Sequence, residues 1–260
     1  LTAAAEFIIL MRRKNILFLF DVDGTLTKPR QVISNDLKEF LLNKVKPRVF
    51  IGLVSGSDYP KIVEQMGGEH VTNQFDYVFC ENGVVHYSNG ELKSSESILN
   101  FIGEKTLQSV INFSLGYMSQ LELPAKRGNF IEFRSSMINM CPVGRSCSQA
   151  ERDEFSKFDM EHKIRAKFVE ALQAKFSETK LKFALGGQIS VDVFPEGWDK
   201  TYCLQHVANE NFDEIHFFGD KTMPGGNDYE IYNDERTISH KVISAEDTHN
   251  QLRQILNINI

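Results

Sequence analysis

The sequence predicts an α/β protein with a doubly wound, mostly parallel sheet as its core and an inserted α+β cap domain. Three observations carry this. Short apolar runs without polar alternation (Ile16–Phe20, Val49–Val54, Tyr77–Cys80) have the pattern of strands buried on both faces. Helical spacing separates them, and strand–helix alternation of this kind builds a parallel sheet. Near residue 93 the alternation gives way to strands and helices in α+β order, and it resumes near residue 199.

Taken in chain order, Ile16–Phe20 is the first strand. Ser34 is expected to cap a helix with Leu37, Phe40 and Leu41 on one face. Val49–Val54 is the second strand, and Ser57 is expected to cap a helix carrying Ile62, Val63 and Met66. After the strand Tyr77–Cys80, the segments Val84–Tyr87 and Glu91–Lys93 flank an Asn89-Gly90 hairpin turn. One long amphipathic helix is expected over Ser97–Glu122. Asn129–Arg134 and Met137–Cys141 read as antiparallel strands, and Glu161–Phe176 as a helix with Ile164, Phe168, Ala171 and Leu172 on one face. Leu181–Leu185 and Ile189–Phe194 form a hairpin across Gly186-Gly187. The helix Thr201–Asn209, the strand Glu214–Phe218, a last strand near Lys241–Ser244 and the helix Glu246–Leu256 complete the chain. The expected division is a core of residues 11–92 and 199–260 and a cap of 93–198. Residues 1–10 contain Ala3-Ala4-Ala5-Glu6-Phe7 and are expected to be a cloning-derived leader, with Met11 the natural start.

Composition excludes the disordered, collagenous and disulfide-stapled classes, since 42% of the 260 residues are hydrophobic and 25% charged. A net charge of −6 weighs against nucleic acid or an anionic membrane as partner. No apolar run approaches the roughly 18 residues that a membrane span needs. The four cysteines, Cys80, Cys141, Cys147 and Cys203, lack paired or zinc-ligand spacing and are expected as free thiols, so the chain reads as cytoplasmic.

Chemistry concentrates where strands end. Asp21 and Asp23, in Phe20-Asp21-Val22-Asp23-Gly24-Thr25, follow a buried strand, where ligands of open α/β sheets bind. Carboxylates two apart at a strand end can point into one site. Ser55-Gly56-Ser57-Asp58 ends the second strand with hydroxyls and a helix start suited to phosphate, through Ser55 or Ser57. Lys200 stands where the core resumes and suits a phosphate or a carboxylate. Asp220 and Asp228 supply two further acids after the fourth core strand. In the cap, Lys126 to Arg152 holds five Lys or Arg against two Glu, a basic stretch in an acidic chain. Guanidinium groups bind phosphate bidentately. Ser190 and Asp192 share one face of an alternating strand, suited to sugar hydroxyls or phosphate.

The string Asp21-Val22-Asp23-Gly24-Thr25 resembles the first motif of the haloacid dehalogenase superfamily. Pro142-Val143-Gly144-Arg145-Ser146-Cys147-Ser148-Gln149, Gly186-Gly187-Gln188-Ile189-Ser190-Val191-Asp192-Val193-Phe194-Pro195 and Phe217-Phe218-Gly219-Asp220-Lys221-Thr222-Met223-Pro224-Gly225-Gly226-Asn227-Asp228 together resemble the eukaryotic phosphomannomutases. The resemblance runs from Ile16 to Leu256. It implies Asp21 as phosphorylated nucleophile, Asp23 as acid/base, and Asp21, Asp23 and Asp220 as ligands of Mg2+. It implies Arg30, Arg134, Arg145, Arg152, Ser190 and Asp192 as substrate contacts, and Tyr232, Asp234 and Thr237 as a second cation site. It further implies hexose phosphate substrates, a hexose 1,6-bisphosphate activator and a homodimer through the cap. At Ser55 the chain departs from the family, whose second motif usually reads Gly-Gly-Ser-Asp.

Overall fold

A computed structural model describes residues 15–258; the expected leader (residues 1–10) and start at Met11 lie outside the described residues. Strand β1 (Ile16–Phe20) is buried from its second residue on. Its alternate side chains enter two different cores. Phe18 and Phe20 pack with Leu37, Leu41, Ile62 and Met66, whereas Leu17 and Leu19 pack with Phe79, Leu204 and Phe217. A strand covered on both faces has no wet side, which is why the run carries no polar alternation. Each fully buried Leu or Phe contributes roughly 1.5–3 kcal/mol of transfer free energy.

Helix α1 (Asn35–Phe40) begins at Ser34, whose hydroxyl accepts the Leu37 N–H, and runs on as a π-helical turn, Leu41–Val45. Strand β2 (Phe50–Val54) leads to α2 (Tyr59–Met66), whose cap is Asp58 and not Ser57. The Asp58 carboxylate accepts the Lys61 N–H at 3.0 Å, the third-residue amide that Ser57 stands one position too early to reach. Helix α3 (Glu69–Thr72) and strand β3 (Tyr77–Cys80) follow. The hairpin β4 (Val85–Ser88) and β5 (Glu91–Ser95) then turns through Asn89-Gly90, with Val85 opposite Ser95.

Glu96–Glu196 form a second compact unit. The single helix expected over Ser97–Glu122 is two, α4 (Ile98–Ile102) and α5 (Glu104–Ser119). Between them Gly103 stands at φ 76°, a conformation closed to most side-chain-bearing residues, and the helical ladder breaks there. Short strands β6 (Ile131–Phe133) and β7 (Ile138–Met140) pair antiparallel as expected. Helix α6 (Gln149–His162) was not anticipated, although Ser148-Gln149-Ala150-Glu151 spells its capping box. Lys163, at φ 57°, ends it and starts α7 (Ile164–Lys175), three residues later than the expected Glu161. The hairpin β8 (Leu181–Gly186) and β9 (Ser190–Pro195) completes a four-stranded sheet of order β6-β7-β9-β8. Ala125, Cys141, Val143, Cys147, Phe155 and Ile189 form a core within this unit.

The chain re-enters the first unit at Gly197. The helix expected over Thr201–Asn209 is a 3-10 segment, Lys200–His206. Its start is closed by i→i+3 geometry: Tyr202 N–H donates to the Asp199 carbonyl at 2.9 Å. Strand β10 (Glu214–Gly219) and helix α8 (Tyr229–Tyr232) precede β11 (Ile238–Lys241), which lies three residues before the expected Lys241–Ser244. Ser244 instead caps α9 (Ala245–Ile255) by accepting the Asp247 N–H, which takes it out of the strand. The seven-stranded sheet has order β11-β10-β1-β2-β3-β4-β5, parallel from β11 to β3 and antiparallel beyond. Strands β2 and β3 thus lie on one side of β1 and strands β10 and β11 on the other. The order reverses between β1 and β10, and ligands of doubly wound sheets bind at the strand ends beside such a reversal. All four cysteines are free and buried. Among the described residues, no helix is long and apolar enough to cross a membrane.

Candidate active site

The register of the sheet assembles the first group of residues. Phe20 lies opposite Phe218, and the Asp21 N–H donates to the Phe218 carbonyl at 2.9 Å, so Asp21 and Asp220 leave neighbouring strands at one level. Asp21, Asp220 and Asp228 place carboxylate oxygens within 4.8 Å of one another. Three acids this close need cations. Lys200 supplies one: its ammonium, fully buried, bonds Asp21 Oδ1 and, at 2.6 Å, Asp228 Oδ1. Asp228 Oδ2 accepts the Lys221 N–H at 3.0 Å, so both its oxygens are taken.

Electrostatics follow from burial. Desolvation raises the Asp21 carboxyl to about 6, against the opposing pull of Lys200 and with Asp228 and Asp220 adding to the rise. Desolvation opposes the charge on Lys200, yet Asp21 and Asp228 outweigh it and the ammonium is held above the usual lysine range. Burial likewise raises Asp220. Among the described residues, Asp21 Oδ2 and Asp220 Oδ1 are buried without a hydrogen-bond partner. Two buried, unpaired carboxylate oxygens on acids of one cluster suit a hard divalent cation, which takes oxygen ligands. Gly24 makes room for this. It stands at φ 91°, and a Cβ there would lie 2.3 Å from Asp220 Oδ2. Gly24→Ala is therefore expected to lower stability by about 1–3 kcal/mol through backbone strain, and a thermal melt beside the parent protein checks this.

Asp23 is held differently. Its Oδ1 accepts the Arg30 N–H at 2.7 Å and the Gln65 amide at 2.8 Å. Arg30 itself has φ 62° and an exposed side chain. Ser55 is buried, and its hydroxyl accepts the Ser57 N–H at 3.1 Å. Ser57 is half-buried. Tyr232, Asp234 and Thr237 share one turn, closed by its own groups. Thr237 Oγ1 donates to the Ile231 carbonyl at 2.7 Å, and the Asp234 carboxylate pairs with Arg236 at 2.6 Å.

The second unit gathers the basic residues around one carboxylate. Glu132 on β6 pairs with Arg134 at 2.8 Å and also with Arg145. Arg145 bonds Asn139 Oδ1 at 2.8 Å, and Asn139 donates to Asp192 Oδ1 at 2.5 Å. Arg152 joins through the Arg145 carbonyl at 3.1 Å. Burial raises the Asp192 carboxyl, while Asn139, Arg134 and Arg145 oppose the rise. Ser190 is buried on β9. Below it the buried Arg165–Asp159 pair, at 2.8 Å, fixes the hairpin: Arg165 Nη1 donates to the carbonyls of Gly187 and Ser190 at 3.0 and 3.3 Å. The structure thus brings Asp21, Lys200 and Asp220 together in the first unit and Arg134, Arg145, Arg152 and Asp192 in the second, while Tyr232, Asp234 and Thr237 stand in a turn of their own.

Sequence reading missed Gln65, Glu132 and the Arg165–Asp159 pair as parts of these clusters. Gln65 left a signal, a polar residue at i+3 from Ile62 on an apolar helix face. Glu132 and Asp159 left none, because nothing in their spacing names an arginine partner.

Comparison with known proteins identifies the family. The pattern of the family described as Eukaryotic phosphomannomutase matches residues 37–258. Phosphomannomutase 1 of Mus musculus is 56% identical over 245 residues, covering 94% of this chain and 93% of its own. The phosphomannomutase of Drosophila melanogaster is 52% identical over 249 residues, covering 95% and 98%. A crystal structure of a haloacid dehalogenase-like hydrolase from Bacteroides thetaiotaomicron shares the fold, with a TM-score of 0.59 at 15% identity over 94% of this chain and 99% of that one. With the paired aspartates at the sheet reversal and identity sustained along nearly the whole sequence, this chain belongs to the eukaryotic phosphomannomutase family and is a phosphotransfer enzyme of the mutase type.

Proposed function

We propose that the chain interconverts mannose 6-phosphate and mannose 1-phosphate by way of an aspartyl-phosphate on Asp21. The observation that carries this is Asp21 itself: a buried carboxylate with Oδ1 held by Lys200 and Oδ2 left without a partner. Held in this way, one oxygen of Asp21 is kept for attack on phosphorus, which forms the Asp21–phosphorus bond as the phosphorus–oxygen bond to the departing sugar breaks. Asp23 gives the departing oxygen its proton and takes one from the hydroxyl that attacks in the return step. Asp21, Asp220 and the Asp23 carbonyl would hold Mg2+, which when bound supplies charge to offset the repulsion between carboxylate and phosphate.

The arginines of the second unit, Arg134, Arg145 and Arg152, with Ser190, Asp192 and Arg30, are the proposed contacts to the hexose phosphate. A sugar 1,6-bisphosphate is the proposed intermediate and the activator that charges Asp21. Ser57 or Ser55 and Lys200 are proposed phosphate contacts. A second cation at Tyr232, Asp234 and Thr237, dimerisation through the second unit, a cytoplasmic site of action, supply of mannose 1-phosphate to GDP-mannose synthesis and acceptance of glucose phosphates complete the reading. Absence of nucleic-acid and membrane partners is proposed on the acidic net charge of −6.

The test uses the protein with magnesium and mannose 1-phosphate, with and without glucose 1,6-bisphosphate. Mannose 6-phosphate is expected to accumulate, faster with bisphosphate and with little free phosphate. Release of inorganic phosphate without mannose 6-phosphate would show that water is the acceptor and overturn the mutase reading.

A further inference from the structure

Gln65 lies on the buried side of α2 between Ile62 and Met66 and is 1% exposed. A primary amide in such a place is ordinarily bonded at both ends. Here one end only is used. Nε2 donates to Asp23 Oδ1 at 2.8 Å and, at 3.4 Å, to Thr27 Oγ1, while Oε1 is buried without a partner among the described residues. As a packing residue, Gln65 is therefore a poor choice, since an apolar side chain of the same length would leave no orphaned carbonyl.

The Arg30 N–H delivers a second bond to the same Asp23 oxygen, at 2.7 Å, from a backbone in the left-handed region, φ 62°. Two N–H donors aimed at Oδ1 do two things. They fix the carboxyl plane, and they occupy Oδ1. Oδ2 takes part in neither bond.

We propose that Gln65 is a positioning residue for proton transfer: its amide, with the Arg30 N–H, locks Asp23 through Oδ1 and reserves Oδ2 for exchange with the sugar oxygen. This rests on the reading of Asp23 as acid/base. Positioned acid–base groups contribute about 10²–10⁴-fold to rate, and loss of one of the two supports forfeits part of that, about 10–100-fold. Gln65 does not touch the reacting atoms and acts through Asp23, so its loss acts on kcat and leaves KM alone.

The experiment compares Gln65→Met, Asp23→Ala and the double variant in the full-length enzyme with magnesium and glucose 1,6-bisphosphate, by steady-state kinetics and thermal melts. Gln65→Met is expected to lower kcat about 10–100-fold, leave KM for mannose 1-phosphate unchanged, and hold or raise Tm because the orphaned carbonyl is gone. In the Asp23→Ala background the same substitution is expected to change nothing further. Gln65→Leu, which also lacks the amide donor and adds no charge, gives the same kcat deficit and serves if the methionine variant does not fold. Unchanged kcat in a folded variant, a change in KM alone, or an equal further loss on top of Asp23→Ala would overturn the proposal. Retention of full turnover by Asp23→Ala itself would instead overturn the acid/base reading beneath it.

Discussion

Asp21→Asn is expected to abolish mannose 1-phosphate turnover, by on the order of 10⁴-fold or more, as loss of a covalent nucleophile does, while the protein remains folded. An amide cannot form the acyl phosphate, and the neighbouring acids do not share the placing of Asp21, which alone among them has one oxygen on Lys200 and the other unpaired. Asp228 has both oxygens engaged, by Lys200 and by the Lys221 N–H. Asp23 has Oδ1 committed to Arg30 and Gln65. The fold should tolerate the change because burial already disfavours the charge on Asp21 and raises it to about 6. Lys200 keeps Asp228 as counter-ion. Assay of turnover beside a thermal melt separates the two effects. Appreciable activity in a folded Asp21→Asn protein would remove Asp21 from the nucleophile's role.

Lys200→Met is expected to damage both stability and activity. The ammonium is completely buried and is shared by two buried carboxylates. Removing one member of such a cluster strands the others, a loss of about 3–5 kcal/mol, which in a protein of this size corresponds to a fall in Tm of roughly 6–20 °C. Turnover falls as well, because the charge that orients Asp21 Oδ1 is gone. Combining Lys200→Met with Asp228→Asn removes a cation and an anion together and is expected to regain part of the stability but none of the activity. Calorimetry on the single and double variants decides this; equal stability of Lys200→Met and the parent would mean that the carboxylates shed their charge without the lysine.

Much of the first unit could be read directly from residue order. The unalternated runs at Ile16–Phe20 and Tyr77–Cys80 are strands because both faces are covered, and a side chain that meets protein on either side leaves no polar period to see. Local capping chemistry was legible at Ser34, whose partner amide lies three residues on, and overlooked at Ser148, where the same arithmetic held. Errors fell where one residue decides between continuing and stopping. Gly103 splits a helix whose apolar spacing continues across it, and Ser244 is drawn from a strand into a cap.

By itself the sequence determined which atoms could do chemistry: two aspartates at a strand end, a lysine and an acid pair where the core resumes, and an arginine-rich stretch. Strand periodicity and motif spacing are local, and they survive in one dimension. Tertiary structure alone decided which oxygens are free. Lys200 stands 179 residues from Asp21 along the chain and Gln65 stands 42 from Asp23, so their pairings exist only after the sheet has set its register. Among the described residues, Asp21 Oδ2 and Asp220 Oδ1 are buried and unpaired, and a linear sequence carries no record of which oxygens the packing leaves so.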